Sequence, residues 1–177
     1  MAESTRFQAA IALFVARRII EELRPASHCI EIAGSLRRGS ATVHDIDIVL
    51  MPQRPSDYFA LGDELPLDQI LRHLVERGSL TEVRGKEKIK CFLAAKTGIP
   101  VDLYIATPET WTTLLLIRTG SKEHNIKLAQ RARELGMKLR ASGDGIEGGS
   151  GRLLRVSTEE ELFSILQVPY IPAEGRN

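Results

Sequence analysis

At 177 residues, 43% of them hydrophobic, the chain is long enough for one compact domain or two small subdomains around a real apolar core. Its 24 Lys and Arg nearly balance 23 Asp and Glu, and the net charge of +1 excludes a strongly basic coat and predicts only weak, salt-sensitive contact with a polyanion. A polar start, the lack of any 18-residue apolar run and two cysteines without zinc-ligand spacing argue against a signal peptide, a membrane span or a zinc module, and predict a soluble, reduced, cytoplasmic protein.

Residues Arg6 to about Leu23 place Ile11, Phe14, Val15, Arg18 and Ile19 at helical spacing, and Pro25 ends that helix. Cys29 to Ala33 reads as a short buried strand and Asp45 to Met51 as the next. Met51 to Pro66 carries three prolines and reads as a loop, followed by an amphipathic helix over Leu67 to Arg77 that Gly78 stops. Strands are expected over Leu80–Arg84, Ile89–Ala95 and Pro100–Ala106, with Lys96-Thr97-Gly98 turning between the last pair. Pro108 and Glu109 open a helix bearing Trp111, Leu114, Leu115 and Ile117. Ser121 is placed to cap a helix through Leu135, which Gly136 closes. Asp144 to Gly151 holds four glycines in eight residues and reads as a flexible turn, and Thr158 with Glu161 makes a capping box for a last helix. Cys29 and Cys91 fall in expected strands and read as small apolar residues.

The chemistry concentrates where Gly34-Ser35-Leu36-Arg37-Arg38-Gly39 is followed by Asp45-Ile46-Asp47. In a strand alternate side chains share a face, so Asp45 and Asp47 point together while Ile46 enters the core. Two carboxylates held side by side repel, and a divalent cation relieves them. The Gly-Ser turn offers backbone N–H groups and a hydroxyl, a concavity suited to phosphate. A third carboxylate, Asp102, lies on the alternating strand Ile99-Pro100-Val101-Asp102-Leu103-Tyr104-Ile105, more than fifty residues further on. Two Mg²⁺ ions (Mn²⁺ as the alternative), about 3.5–4 Å apart on such carboxylates, would serve nucleotidyl transfer, Asp45 and Asp47 bridging both and Asp102 holding the ion that activates a 3′-hydroxyl.

These motifs, with Val101-Asp102-Leu103 and Thr119-Gly120-Ser121-Lys122-Glu123-His124-Asn125, resemble those of the family X DNA polymerases, the DNA polymerase beta-like nucleotidyltransferases. The resemblance runs from about Ile11 to Pro172, through Thr158-Glu159-Glu160-Glu161-Leu162-Phe163 and Val168-Pro169-Tyr170-Ile171-Pro172. It implies an α+β fold: a nucleotidyltransferase palm over residues 1–107, a mixed sheet with flanking helices, then a small α/β thumb over 108–177 that binds nucleotide. It also implies that Gly34, Ser35 and Arg38 hold the phosphates of an incoming dNTP, with the backbone of His44 standing where a glycine often donates to phosphate. Gly120 and Ser121 would pack against the sugar and base, and Asn125 would reach the minor-groove edge of that base. Lys86, Lys88 and Lys90, alternating on an expected strand, with Lys122, Lys127 and Arg131, are the candidate DNA contacts.

The chain departs from the family pattern at three places. Ile117-Arg118 replaces an aromatic pair before Thr119-Gly120, which puts sugar discrimination between dNTP and NTP in question. Arg140-Ala141-Ser142 stands where Asn-Glu-Tyr is usual, and His44 replaces the glycine. With about thirty residues before Gly34 no lyase domain is expected, so the reading is a minimal, monomeric palm-and-thumb enzyme that adds nucleotides to a primer 3′-hydroxyl on template, at gaps in DNA repair, alone or with a repair partner. The alternatives are a template-independent or small-molecule nucleotidyltransferase, a non-catalytic nucleic-acid-binding module, and a subunit that borrows its DNA clamp.

Overall fold

The computed structural model describes residues 5–53, 65–86 and 88–177. Within these the chain runs β1 (Phe7–Gln8), α1 (Ala9–Leu23), β2 (Ser27–Ile32), α2 (Gly34–Arg37), β3 (Thr42–Val43), β4 (Ile46–Pro52), α3 (Pro66–Glu76), β5 (Leu80–Lys86), β6 (Ile89–Ala94), β7 (Pro100–Ile105), α4 (Trp111–Thr119), α5 (Lys122–Glu134), β8 (Lys138–Leu139), β9 (Ile146–Glu147), β10 (Leu153–Leu154) and α6 (Glu159–Ile165). Single 3-10 turns follow α1, at Arg24–Ala26, and α6, at Ala173–Gly175. Most of the proline-bearing loop expected over 51–66 lies outside the described residues.

A five-stranded mixed sheet in the order β2-β4-β7-β6-β5 forms the larger half. Only β4 and β7 run parallel, and they align Ile46 with Val101, Asp47 with Asp102 and Ile48 with Leu103. Strand alternation divides the side chains between two faces. Ile46, Ile48, Leu50, Val101, Leu103, Phe92 and Ala94 meet α1 and α3 in one apolar cluster. Val49, Met51, Tyr104 and Ala106 meet Leu114 and Leu115 of α4 on the other face. Burying such a Leu or Ile is worth about 1.5–3 kcal/mol, so the register of β4 is fixed, and with it the face to which Asp47 points.

The second half is built on the three-stranded antiparallel sheet β10-β9-β8 with α4, α5 and α6. Its own core joins Leu116, Leu128, Ala132, Ile146, Leu162, Phe163 and Leu166. The helix caps follow the sequence: Ser121 accepts from the His124 N–H, Gly136 takes a positive φ of 69° after α5, and Gly78 does the same after α3. Among the described residues no helix is long and apolar enough to cross a membrane.

Several expected elements differ. Phe7 and Gln8 pair with β3 instead of extending α1. The chain must turn out of that pairing at His44 and Asp45, so β4 begins at Ile46 and Asp45 sits in the bend before it. The strand over Cys29–Ala33 is instead Ser27–Ile32, an edge strand with His28 and Glu31 exposed. Pro108 and Glu109 form a turn fastened by the Thr107 N–H donating to Thr110 Oγ1 at 2.9 Å, and α4 starts only at Trp111. The glycine-rich stretch 144–151 contains β9, the central strand of the small sheet. Thr158 does cap α6, but Glu161 reaches one residue further back, accepting from the Ser157 N–H at 2.7 Å.

Candidate active site

Asp47 and Asp102 face each other across the parallel β4–β7 ladder, and Asp45 joins them from the bend. Burial pushes the Asp47 carboxyl up to about 7, reinforced by the negative charges of Asp45 and Asp102. Asp45 is raised for the same two reasons, burial first and then Asp102. Both shifts follow from burying carboxylates beside one another. The side chains do not converge into a finished cage: among the described residues no three of His, Cys, Asp and Glu are grouped as a metal site. The donor set nevertheless suits a hard divalent ion, being all oxygen and mutually repelled.

Two groups beside the carboxylates moderate the repulsion. The Tyr104 hydroxyl, two residues along the same strand face, donates to Asp102 Oδ2 at 3.4 Å. The Arg118 guanidinium lies 4.3 Å from the centre of the Tyr104 ring and its charge acts on Asp47. Arg118 is held further by the Ser142 carbonyl at 3.4 Å, and its Nε is buried without a partner among the described residues. Ile117, by contrast, turns into the second core. Tyr104 could have been found from its i, i+2 spacing to Asp102; Arg118 lies in another element and needed the fold.

Gly34 begins α2 with a φ of 60°, and a Cβ there would stand 1.9 Å from Asp47 Oδ2. Only glycine lets the turn pass so close to the carboxylate. The Ala33 N–H donates to the Asp47 carbonyl at 2.8 Å and locks the turn to β4. Ser35 is half-buried on this turn. Arg38 donates through Nη1 to the Thr119 carbonyl at 2.6 Å, leaving Nε buried and unpaired among the described residues. Arg37 also reaches Thr119, through Oγ1 at 2.9 Å, and makes two bonds to Glu159 at 2.8 and 3.1 Å. Arg37 is therefore no surface ion pair: its acid is buried and shared with Arg176, which grips Glu159 with two bonds of 2.9 Å. Those two guanidiniums hold the Glu159 carboxyl below its ordinary value against the opposing effect of burial. The signal for this triad in sequence was absent, because its members are 122 and 17 residues apart.

Gly120 and Ser121 follow Thr119 directly. A Cβ at Gly120 would meet Asn125 Oδ1 at 2.4 Å. Asn125 donates to the Ile117 carbonyl at 2.8 Å and keeps Oδ1 buried and unpaired among the described residues, so its amide closes the α4–α5 corner. The His44 imidazole lies against the Thr5 carbonyl at 3.1 Å, away from the turn's backbone.

The candidate cations do not share one surface. The β5–β6 hairpin turns between Lys86 and Ile89, so the three lysines are not on one strand. Lys90 lies on the face of α3 and pairs with Asp68 at 2.9 Å, on the side opposite the carboxylates. Lys88 pairs with Asp144 at 2.9 Å. Arg131 is structural, bonding to the Leu166 carbonyl at 3.0 Å and to Glu134. Lys122 and Lys127 are exposed on α5.

Residues 114–177 match the family model of the DNA polymerase beta thumb. The chain is also 32% identical over 176 residues to the DNA polymerase/3'-5' exonuclease PolX of Bacillus subtilis, which takes in 97% of this chain. Together these matches support a fragment of a family X DNA polymerase. DNA polymerase lambda of Rattus norvegicus is similar at 26% identity over 175 residues, 87% of this chain. The chain spans 28% of the first relative and 30% of the second, less than a third of either.

Proposed function

We propose that the chain is the palm and thumb of a DNA-directed DNA polymerase, residues 1–107 and 108–177, adding nucleotides to a primer 3′-hydroxyl on a template and filling gaps in DNA repair. The observation that carries the reading is the parallel register of Asp47 with Asp102 beside a glycine turn that touches Asp47. Asp45, Asp47 and Asp102 would hold Mg²⁺ or Mn²⁺, which when bound polarise the 3′-hydroxyl and offset the charge on the leaving group. Asp102 takes the hydroxyl proton, oriented for this by Tyr104. The turn at Gly34 and Ser35 receives the triphosphate through its N–H groups and hydroxyl. Arg38, already directed at that turn's neighbour Thr119, adds a planar fork for phosphate oxygens. Gly120, Ser121 and Asn125 form the corner on which sugar and base rest, Asn125 carrying one unused acceptor, Oδ1. Lys122 and Lys127, exposed beside that corner, contact DNA together with Lys86 and Lys88.

The test is primer extension on a one-nucleotide gapped duplex with Mg²⁺ or Mn²⁺, each dNTP and NTP offered singly, beside Asp102→Ala. Template-matched addition that the variant loses supports the polymerase. Untemplated addition moves the assignment to a terminal transferase, and absence of any addition by the folded protein overturns it.

A further inference from the structure

The β5–β6 ladder contains an irregularity whose effect is to aim one side chain. Glu82 pairs with Phe92, but Arg84, two residues on, pairs with Cys91, only one residue back. Val83 is thus the extra residue of a β-bulge, a device that re-aims side chains and is frequent beside active sites. Without it Arg84 would share the face of Glu82 and Phe92, which packs on α3. With it Arg84 lies on the carboxylate face. There its Nε donates to Cys91 Sγ at 3.4 Å, and Cys91 stands directly opposite Asp102 in the next ladder. Asp102, Cys91 and Arg84 form a row across β7, β6 and β5. Lys86, whose ladder partner is Ile89, continues on that same face. Arg84 is exposed, and no hydrogen bond to its outer nitrogens forms among the described residues.

The direction of this row has a meaning in an in-line displacement, where the attacking and leaving oxygens lie on opposite sides of the transferred phosphorus. The phosphate turn packs on β4, at Asp47. The attacking hydroxyl then lies on the β7 side, and the strand that carries it leaves over β6 and β5. Given the polymerase reading above, we infer that Arg84, turned by the Val83 bulge, is a positioning residue that grips the phosphodiester next to the primer 3′ end.

A cycle between protein and DNA tests this. Binding of a gapped primer-template is measured by fluorescence anisotropy for wild type and Arg84→Ala, with a neutral methylphosphonate replacing single linkages in either strand. Neutralising the primer linkage nearest the 3′ end weakens wild-type binding about tenfold. In Arg84→Ala the same substitution changes affinity by less than about twofold, and the salt dependence of binding falls by about one ion. Deleting Val83, which returns Arg84 to the α3 face, reproduces the loss; Arg84→Ala alone decides if that deletion unfolds the chain. A full tenfold loss retained in Arg84→Ala, or coupling confined to template linkages, overturns the inference while leaving the polymerase standing. Wild type that binds nucleotide and Mg²⁺ but no primer-template overturns both.

Discussion

Two charged clusters in this molecule are solved in opposite ways. On the sheet face, Asp45, Asp47 and Asp102 are gathered with too little positive charge, and Asp47 rises to about 7. Between α2, α6 and the C-terminal tail, one buried carboxylate, Glu159, is enclosed by two guanidiniums and lowered. Arg176 there is wholly buried, bonded to the Ile171 carbonyl at 2.8 Å and lying over the rings of Phe163 and Tyr170. A triad satisfied within the chain holds elements together. A cluster left unsatisfied keeps its need for something from outside, and its strain is where a ligand's binding energy is spent.

The contrast is broken most sharply by removing one member from each cluster. Asp102→Ala should lower primer extension by about a thousandfold or more, yet leave the metal-free protein as stable as before or more so, because a like charge has gone. Glu159→Ala should do the reverse, costing about 3–5 kcal/mol in urea unfolding by stranding Arg176 in the interior. A loss of stability in Asp102→Ala as large as in Glu159→Ala would abolish the distinction.

Titration sharpens it. The folded state binds a proton at Asp47 that the unfolded chain has lost, so metal-free stability should fall as pH rises from about 4 to about 7, by a few kcal/mol at most. Saturating Mg²⁺ should flatten that slope. His124 acts with the opposite sign: burial first, then the Arg176 charge, holds it down to about 4. The unfolded chain therefore takes up its proton first, and stability present above pH about 6.5 is lost as pH falls toward 4. Asp47→Asn should remove most of the first slope, leaving the part that Asp45 contributes, and keep the second in thermal melts without metal. The smallest effect is expected at Arg118→Ala, about 1 kcal/mol from its contact with Tyr104. With that charge gone, half-saturation with Mg²⁺ should shift to higher pH, measured by calorimetry across pH 6 to about 8.

What the sequence could reveal tracks how local each cause is. Caps at Ser121 and Thr158, stops at Gly78 and Gly136, and the alternation around Asp102 were legible because each depends on neighbours within a few residues. The burial of Ile46 beside Asp47 was legible from strand alternation, whereas the second core on the Asp47 face, against Leu114 and Leu115 of α4, was not. β9 was not, because Ile146 and Glu147 are bracketed by Gly145 and Gly148, which locally favour a turn, and only pairing with β8 and β10 makes them a strand. The side of the sheet taken by Arg84 was hidden for a related reason: a single inserted residue exchanges the faces, and nothing in Val83 itself announces it. Nothing in the sequence pointed to the partner of Arg37, since Glu159 stands 122 positions away.

The approach of Gly34 to Asp47 bears on what selection can do with this chain. A methyl group at residue 34 and a full-length carboxylate at residue 47 cannot coexist in this geometry, since one atom of each would occupy the same space. Alanine at 34 is tolerable only after Asp47 has been shortened or displaced, which removes the acid that the glycine was there to accommodate. In a library randomised at both positions, functional clones should therefore return the Gly-Asp pair as a single heritable unit, with neither half drifting before the other.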